Sequence, residues 1–387
     1  MSHASGQPRD LFHLAAVTPA ELAAIAAAAA GSPVARPVAH PAPIAYDWGS
    51  PATAGLWQVE VTSDGEPACA LFVKLVRHTR LWPVLSQLGH LANYWTIRHG
   101  ADGKYYVLAS PTVGVAVFDS TGKPLAVIGA PTAEPVANKG GQAAIGFGED
   151  CDVDRNGDVY IAYRGSNLID KFSPDGKTVR SIPVNAPTSL VALPEGEVAV
   201  TSATQTHLVT VYGPNGTVVR EFGSPESLSE REDVNRYLSI GRLASDGQGH
   251  VYYGYTYMPE PLVRQYDRFG YAGLDFEFTG LDAYPEAQVT RKAIVEMEKE
   301  EKRRGAISLR QILTAFGVDP VNGDVWMALH NTLIHFDKEA NRRSEYQIYT
   351  PKGSRLEANT ILVEEDRLLI GADPLGVYEF PRPDRKH

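Results

Sequence analysis

The sequence contains few cysteines and no long apolar run. The two cysteines, Cys69 and Cys151, cannot form a disulfide framework, and neither lies at a metal-ligand spacing. We therefore expect two buried thiols in a reducing, cytoplasmic compartment. No stretch reaches the ~18 apolar residues that a membrane-spanning helix requires. No membrane span is expected.

Positive charge is also scarce. The chain has 36 Lys and Arg residues against 46 Asp and Glu residues, and its formal net charge is -10. Nucleic acid and anionic membrane surfaces attract proteins of the opposite sign, so we predict no nucleic-acid partner. A hydrophobic content of 43% and a charged content of 21% are typical of a globular protein with a sizeable core.

The first part of the chain differs from the rest in composition. Residues 22–35 are apolar and rich in alanine, and they follow Thr18, Pro19 and Glu21. Thr18 and Glu21 stand at the spacing of a capping box, with proline at the first helical position. This pattern predicts a short helix in an Ala/Pro-rich flexible tail over residues 1–45. A secretory signal is the alternative interpretation of the apolar run.

The sequence is rich in glycine and tyrosine, and these residues recur in a repeated pattern. Each repeat contains an apolar strand, an Asp/Asn-Gly turn, an aromatic-rich strand, a polar loop, a third strand, a glycine turn and a fourth strand. The repeats cover residues 95–128, 152–180, 188–222, 240–278, 314–349 and 359–380. A repeat of about 40 residues with four short strands is typical of a propeller blade. We predict an all-β, six-bladed β-propeller over residues 46–387.

The turn that begins at Asp152 has the spacing of a calcium loop, with further polar ligands at Asp154 and Asn156. Position 12 of such a loop needs a bidentate glutamate, and here it is Tyr163. Residues 159–163 also read as a strand, where a calcium-binding hand needs a helix. The pattern therefore predicts a hairpin turn in which glycine supplies the positive φ.

The best copy of the repeat, residues 152–177, reads "DVDRNGDVYIAYRGSNLIDKFSPDGK". This pattern, D-x-x-G-x-[VW]-Y-[VI] followed by I-x-K-F-[SD]-x-[DNT]-G-K, resembles the NHL-type repeats of six-bladed β-propellers. The resemblance covers residues 95–380. It implies the fold and leaves function open, because such propellers include enzymes, sensors and scaffolds.

The sixth repeat ends after three strands, so we predict that an N-terminal strand, residues 69–77, completes the last blade. Residues 44–84 are also similar to the small lobe of aminoglycoside-phosphotransferase-like kinases, in which Lys74 would match the lysine that pairs with ATP phosphates. The catalytic-loop spacing that would start at His335 puts Arg342 where that family has asparagine. No helical large lobe follows, so we do not predict a kinase.

Three long insertions connect successive blades, and in a propeller all such connections lie on one face. They cover residues 130–148, 223–239 and 279–311. We expect this insertion-rich face to bind a protein or a small ligand. The third insertion predicts a helix over residues 284–305, closed by Gly305. This helix is either a solvated lid or strut, or a docking site for a partner.

Candidate ligand contacts on the insertion-rich face are two charged residues and an apolar, aromatic loop. They are Arg164, Tyr255, Tyr257, Met258 and Asp373. Arg and aromatic side chains are enriched among the residues that dominate binding. Packing within the rim is the alternative role for Tyr255, Tyr257 and Met258.

Gluconolactonase-like propeller hydrolases hold a divalent cation over the central channel, with Glu, Asn and Asp ligands from the upper ends of the inner strands. The matching positions here are Glu149, Asp150, Asn185 and Asn359. The resemblance implies a Ca²⁺ or Zn²⁺ site. The alternative is that these groups are solvated or bonded to the backbone.

Residues 323–337 are similar to one blade of streptogramin-lyase-like propellers, which use a rim histidine as a base. His330 lies in the loop of this blade, although Ala328 replaces the family's glutamate. His207 is the other rim histidine. We predict a non-catalytic binding or scaffold propeller without a cofactor, and the alternative is a cation-dependent propeller hydrolase or lyase.

Overall fold

The computed structural model describes most of the repeat region and part of the N-terminal region. The described residues are 37–43, 53–63, 66–76, 95–109, 114–129, 148–204, 206–279, 285–299, 309–350, 353–373 and 376–384. The chain divides into two compact units, Met1–His90 and Leu91–His387.

The first unit contains an antiparallel sheet of β1 (Pro37–Pro43), β2 (Thr53–Ser63) and β3 (Glu66–Val76), in that order. Strand β1 lies within the segment predicted to be a tail, and the predicted short helix lies outside the described residues. The side chain of Lys74 also lies outside them. Closure of the last blade by β3 concerns the junction of the two units, and it stays a prediction.

The second unit contains six antiparallel sheets, one for each predicted repeat. The first three blades are β4 (Trp95–His99), β5 (Tyr105–Ala109), β6 (Val115–Phe118), β7 (Pro124–Ile128); β8 (Asp150–Val153), β9 (Val159–Tyr163), β10 (Leu168–Phe172), β11 (Thr178–Pro183); and β12 (Pro187–Ala192), β13 (Val198–Ser202), β14 (Val209–Tyr212), β15 (Val218–Phe222). The last three are β16 (Gly241–Ser245), β17 (Val251–Tyr255), β18 (Leu262–Tyr266), β19 (Ala272–Glu277); β20 (Ala315–Val318), β21 (Val325–Leu329), β22 (Thr332–Phe336), β23 (Arg342–Gln347); and β24 (Glu357–Val363), β25 (Arg367–Asp373), β26 (Gly376–Pro381). The predicted six-bladed propeller is confirmed.

Hairpin turns within the blades follow the predicted chemistry. The turn between β8 and β9 places Gly157 at φ 82°, a conformation that glycine adopts without steric cost. The carboxylate of Asp154 accepts hydrogen bonds from the N–H groups of Asn156 (2.9 Å) and Asp158 (3.0 Å). The stretch that resembles a calcium loop is therefore a hairpin turn, as predicted. The carboxylate of Asp154 stabilises this turn through its hydrogen bonds to the backbone.

Each blade buries both of its faces against its neighbours. In β9, Ile161 packs into the apolar cluster shared with blade 1, whereas Tyr160 and Ala162 pack into the cluster shared with blade 3. Neighbouring inner strands pack side by side, and β24 packs beside β4, which closes the ring. The backbones approach closely: a Cβ at Gly317 of β20 would lie 2.6 Å from the carbonyl oxygen of Ile361.

Two helices lie in the insertions before and after blade 4. Helix α1 is Glu232–Leu238 and helix α2 is Pro285–Lys299, so α2 lies within the predicted helical segment. Ile294 of α2 packs in one buried cluster with Leu238 of α1 and with Tyr257. Among the described residues, no helix is both long enough and apolar enough to cross a membrane.

The C-terminal segment after β26 is held by a buried arginine. The side chain of Arg382 is 0% exposed and donates to Asp319 of blade 5, to the carbonyl oxygen of Glu364 (3.0 Å) in blade 6, and to both oxygens of Asp384 (3.1 and 2.6 Å). Arg382 thus links blades 5 and 6 to the end of the chain.

We expect Arg382→Ala to destabilise the propeller by about 3–5 kcal/mol, because removal of one partner leaves the buried carboxylate of Asp319 unpaired. Urea unfolding measures this loss. The matched control is Arg268→Ala, an exposed arginine that lies over the ring of Phe269, for which we expect a loss of about 1 kcal/mol or less. Equal losses in the two variants would contradict the assigned role of Arg382.

Candidate functional site

The inner strands begin at the insertion-rich face of the propeller and end at the opposite face, where the hairpin turns lie. Near their beginnings, a chain of hydrogen bonds crosses four blades. Thr96 Oγ1 (blade 1) donates to Asp150 (2.7 Å), Ser189 Oγ (blade 3) donates to the same carboxylate, and the N–H of Leu243 (blade 4) donates to Ser189 Oγ (3.0 Å). We call these four residues the inner belt.

Asp150 is the centre of the inner belt. Its side chain is 8% exposed and also accepts hydrogen bonds from the N–H groups of Cys151 (2.9 Å) and Leu190 (3.1 Å). The guanidinium of Arg98 lies 3.5 Å away and also pairs with Asp152 at 3.2 Å. Both oxygens of the Asp150 carboxylate are therefore used to join blades, which favours the structural alternative for this residue.

The other three predicted metal ligands are spread over three blade entrances. Burial raises the pKa of Glu149, while the charges of Arg164 and Arg242 act in the opposite direction. The carbonyl oxygen of Asn185 accepts from Ser202, and that of Asn359 accepts from Arg242 Nη1 (3.1 Å). The charges of Arg164 and Arg242 therefore already compensate part of the negative charge of Glu149.

The two predicted catalytic histidines lie in different blades. His207 precedes β14, beside a cavity of about 20 Å³ that Arg236 and Tyr253 also line. His330, at φ 55°, occupies the tight turn between β21 and β22; its N–H donates to Thr314 Oγ1 at 3.2 Å. None of the three cavities of about 20, 460 and 700 Å³ is lined by both histidines.

The predicted aromatic loop lies beneath the rim. Tyr255 is 0% exposed, and its hydroxyl donates to Glu226 at 3.3 Å. Tyr257 and Met258 are buried as well, and the Tyr257 ring lies 4.9 Å from that of Tyr237 in α1. The burial of all three favours packing within the rim as their role.

The two charged residues predicted to contact a ligand differ in how far they can be described. Arg164 is exposed and close enough to Glu149 to act on its charge. The side chain of Asp373 lies outside the described residues. Both stay predictions.

A large concavity lies at the turn face, around the mouth of the central channel. It has a volume of about 700 Å³ and is lined by the ends of all six inner strands and the turns that follow them. We call it the turn-side mouth. Its apolar lining includes the half-buried side chains of Val153, Ala192, Ala244 and Leu362, from blades 2, 3, 4 and 6.

The polar lining of the turn-side mouth is mainly acidic. Three guanidinium groups face six carboxylates, which belong to Asp152, Asp154, Asp246, Glu364, Glu365 and Asp366. Arg98 and Arg367 are already paired with carboxylates. Negative charge is therefore in excess at this mouth.

A cluster of hydrogen-bonded side chains at the edge of the turn-side mouth joins blade 6 to blade 1. Glu364 Oε1 accepts from the hydroxyl of Tyr105 (2.8 Å) and lies 3.0 Å from His99 Nδ1, while Arg367 contacts Oε2 at 2.6 Å. The His99 and Tyr105 rings stack at 4.7 Å. Burial, and then the bond to Glu364, raise the pKa of Tyr105, so the phenol stays protonated and donates.

Sequence reasoning missed the turn-side mouth. Its lining residues come from six blades, a few from each, and they form no local motif. The signal lies in the repeat alignment: Arg98, Asp152, Ala244 and Leu362 all stand just before the first turn of a blade. Only comparison of this position across repeats brings them together.

We expect Asp150→Asn to lower the free energy of unfolding by about 3 kcal/mol, because an amide cannot accept from all these donors and leaves Arg98 underpaired. Urea unfolding measures the loss. Asp175→Asn, at a carboxylate that is 56% exposed, is the control and should change little. A comparable loss in Asp175→Asn would contradict this role of Asp150.

Comparisons with known proteins identify no family. No protein-family model matches the chain, and no curated protein matches it. Among solved structures, a streptogramin B lyase is 13% identical over 76% of this chain and 84% of its own, with a TM-score of 0.48. A catalytically inactive virginiamycin B lyase from Staphylococcus aureus, solved with quinupristin, is 10% identical over 90% of this chain and 100% of its own, with a TM-score of 0.49. Similarities at this level assign no activity, and the propeller assignment rests on the strands themselves.

Proposed function

We propose that this chain is a non-catalytic six-bladed propeller that binds a small organic cation with an apolar body in the turn-side mouth. The observation that supports this most is the composition of that cavity. It combines an apolar wall from four blades with an excess of carboxylates at its edge. A volume of about 700 Å³ is within the range of small-molecule sites.

The distribution of charge favours a cationic ligand. Glu365 and Asp366 are exposed at the edge of the cavity, and Glu364 is 12% exposed and fully engaged with its neighbours. An ammonium group near Glu365 and Asp366 would gain their attraction without breaking an existing ion pair. The apolar part of the ligand would cover the half-buried Ala244 and Leu362.

The alternative, a cation-dependent hydrolase or lyase at the insertion-rich face, has less support. Asp150 is engaged by donors from its own chain, and Glu149 has two cationic neighbours. His207 and His330 lie in separate blades. The expected gathering of acids, amides and histidines is not apparent among the described residues of this face.

Protein binding by the insertion-rich face stays a second prediction. Helix α2 is fixed by more than apolar packing: Arg231 donates to the carbonyl oxygen of Met297 (3.0 Å), and Arg291 pairs with Glu260. This favours a strut over a lid. The NHL-type assignment and the cytoplasmic location likewise stay predictions.

We expect a phenylalkylammonium ion to bind more tightly than the alcohol of the same length, and the corresponding carboxylate to bind least. Titration calorimetry on the full-length protein measures this order. Because Glu365 supplies uncompensated charge, Glu365→Gln should reduce the preference for the ammonium over the alcohol.

The matched control is Glu339→Gln, an exposed acid in a turn of blade 5 outside the cavity, which should leave the preference unchanged. Equal binding of all three compounds, or equal effects of the two substitutions, would contradict a cation site at the turn-side mouth.

A further inference from the structure

A second cavity on the turn face lies between blade 5 and the C-terminal segment. It has a volume of about 460 Å³, and its lining includes Asp324, His335, Asp337, Tyr346 and Asp384. Neither the inner belt nor the turn-side mouth includes these residues. The chemistry of this cavity is therefore independent of the proposed function.

Three side chains in this cavity present metal-ligand atoms to one another. Asp324 precedes β21, His335 lies in β22, and Asp384 follows β26. One ligand atom from each lies within 4.8 Å of the others, and His335 Nε2 is 3.2 Å from Asp324 Oδ2. The hairpin register and the C-terminal segment thus assemble one nitrogen and two carboxylate donors from distant parts of the sequence.

The imidazole of His335 is held in place by packing. Its ring stacks on that of Trp326 at 4.3 Å and 14°, and Trp326 is 0% exposed. This stacking fixes the orientation of the imidazole.

The charges around the cavity do not balance. Four carboxylates, those of Asp319, Asp324, Asp337 and Asp384, are linked to Arg343 and Arg382. The four carboxylates outnumber the two guanidinium groups by two, and the carboxylate side chains are at most 15% exposed. Burial of uncompensated charge is costly, and one divalent cation neutralises it.

We propose that Asp324, His335 and Asp384 bind one Zn²⁺ ion or a similar divalent transition metal. One imidazole nitrogen and two carboxylate oxygens suit zinc, whereas Ca²⁺ and Mg²⁺ prefer oxygen ligands alone. Arg382 donates to both oxygens of Asp384, and each oxygen has a second lone pair. Arg382 therefore orients this ligand and leaves it able to bind the metal.

The site would attach the end of the chain to the middle of blade 5. His335 and Asp324 belong to blade 5, and Asp384 belongs to the segment after the last described strand. Because the metal binds only the assembled site, it stabilises the folded ring. The opening of the cavity leaves room for water to complete the coordination.

The test is titration of Zn²⁺ into metal-free, untagged, full-length protein, followed by calorimetry and thermal unfolding. We expect one ion per chain and a higher melting temperature that EDTA reverses, with no such rise for Mg²⁺. His335→Gln should weaken Zn²⁺ binding by more than about 10-fold, since loss of even an outer-shell partner costs that much.

The matched control is His250→Gln. His250 also pairs with an aspartate, Asp246, at 2.6 Å, but no third ligand joins this pair among the described residues. This variant should bind Zn²⁺ like the native protein. Asp384→Asn provides a second test at a more exposed position if His335→Gln does not fold.

A visible absorption band on addition of Co²⁺, displaced by Zn²⁺ and absent in Asp384→Asn, would support the site spectroscopically. No Zn²⁺ binding by the native protein would overturn the proposal. Undiminished binding in both His335→Gln and Asp384→Asn would also overturn it, and the cluster would then be an ion-pair network around Arg382.

Discussion

Closure of the ring is the constraint on which the rest of this structure depends. A propeller blade has two apolar faces and can bury them only against the blades on either side. The strand of Tyr160, Ile161 and Ala162 shows this directly, because alternate residues enter different inter-blade clusters. Polar groups reinforce the closure: the inner belt joins blades 1 to 4, and Glu364 joins blade 6 to blade 1 through Tyr105.

This constraint determines which polar residues remain available for a ligand. Asp150 stands where a gluconolactonase-like propeller would hold a cation, but here it binds donors from three blades. The insertions cover blade 4 with two helices and bury Tyr257 beneath them. At the turn face, by contrast, the inner strands end around an open cavity, and the exposed carboxylates of Glu365 and Asp366 take no part in the described side-chain hydrogen bonds. The turn face is therefore the better candidate for a ligand site.

The propeller could be predicted from the sequence because the signals that specify a blade are local in the chain. An Asp/Asn-Gly pair such as Asn156-Gly157 specifies a hairpin turn, and six regular copies specify six blades. The sequence did not predict the burial of Tyr257, because this residue lies in the loop after β17, where no strand alternation applies. Tyr257 is buried because it packs on α1, which belongs to an insertion with no repeat pattern. Asp324, His335 and Asp384 likewise meet only through long-range packing.

Histidine accessibility tests the central claim, that the ligand site lies at the turn-side mouth, most directly. His99 lines that mouth, whereas His207 and His330 lie in loops on the other face. Diethyl pyrocarbonate labelling, read by mass spectrometry with and without a saturating phenylalkylammonium ion, reports all three imidazoles in one sample. The account predicts that labelling of His99 falls and that labelling of His207 and His330 does not change. Protection of His207 or His330, with His99 unaffected, would place the ligand on the insertion-rich face and contradict it.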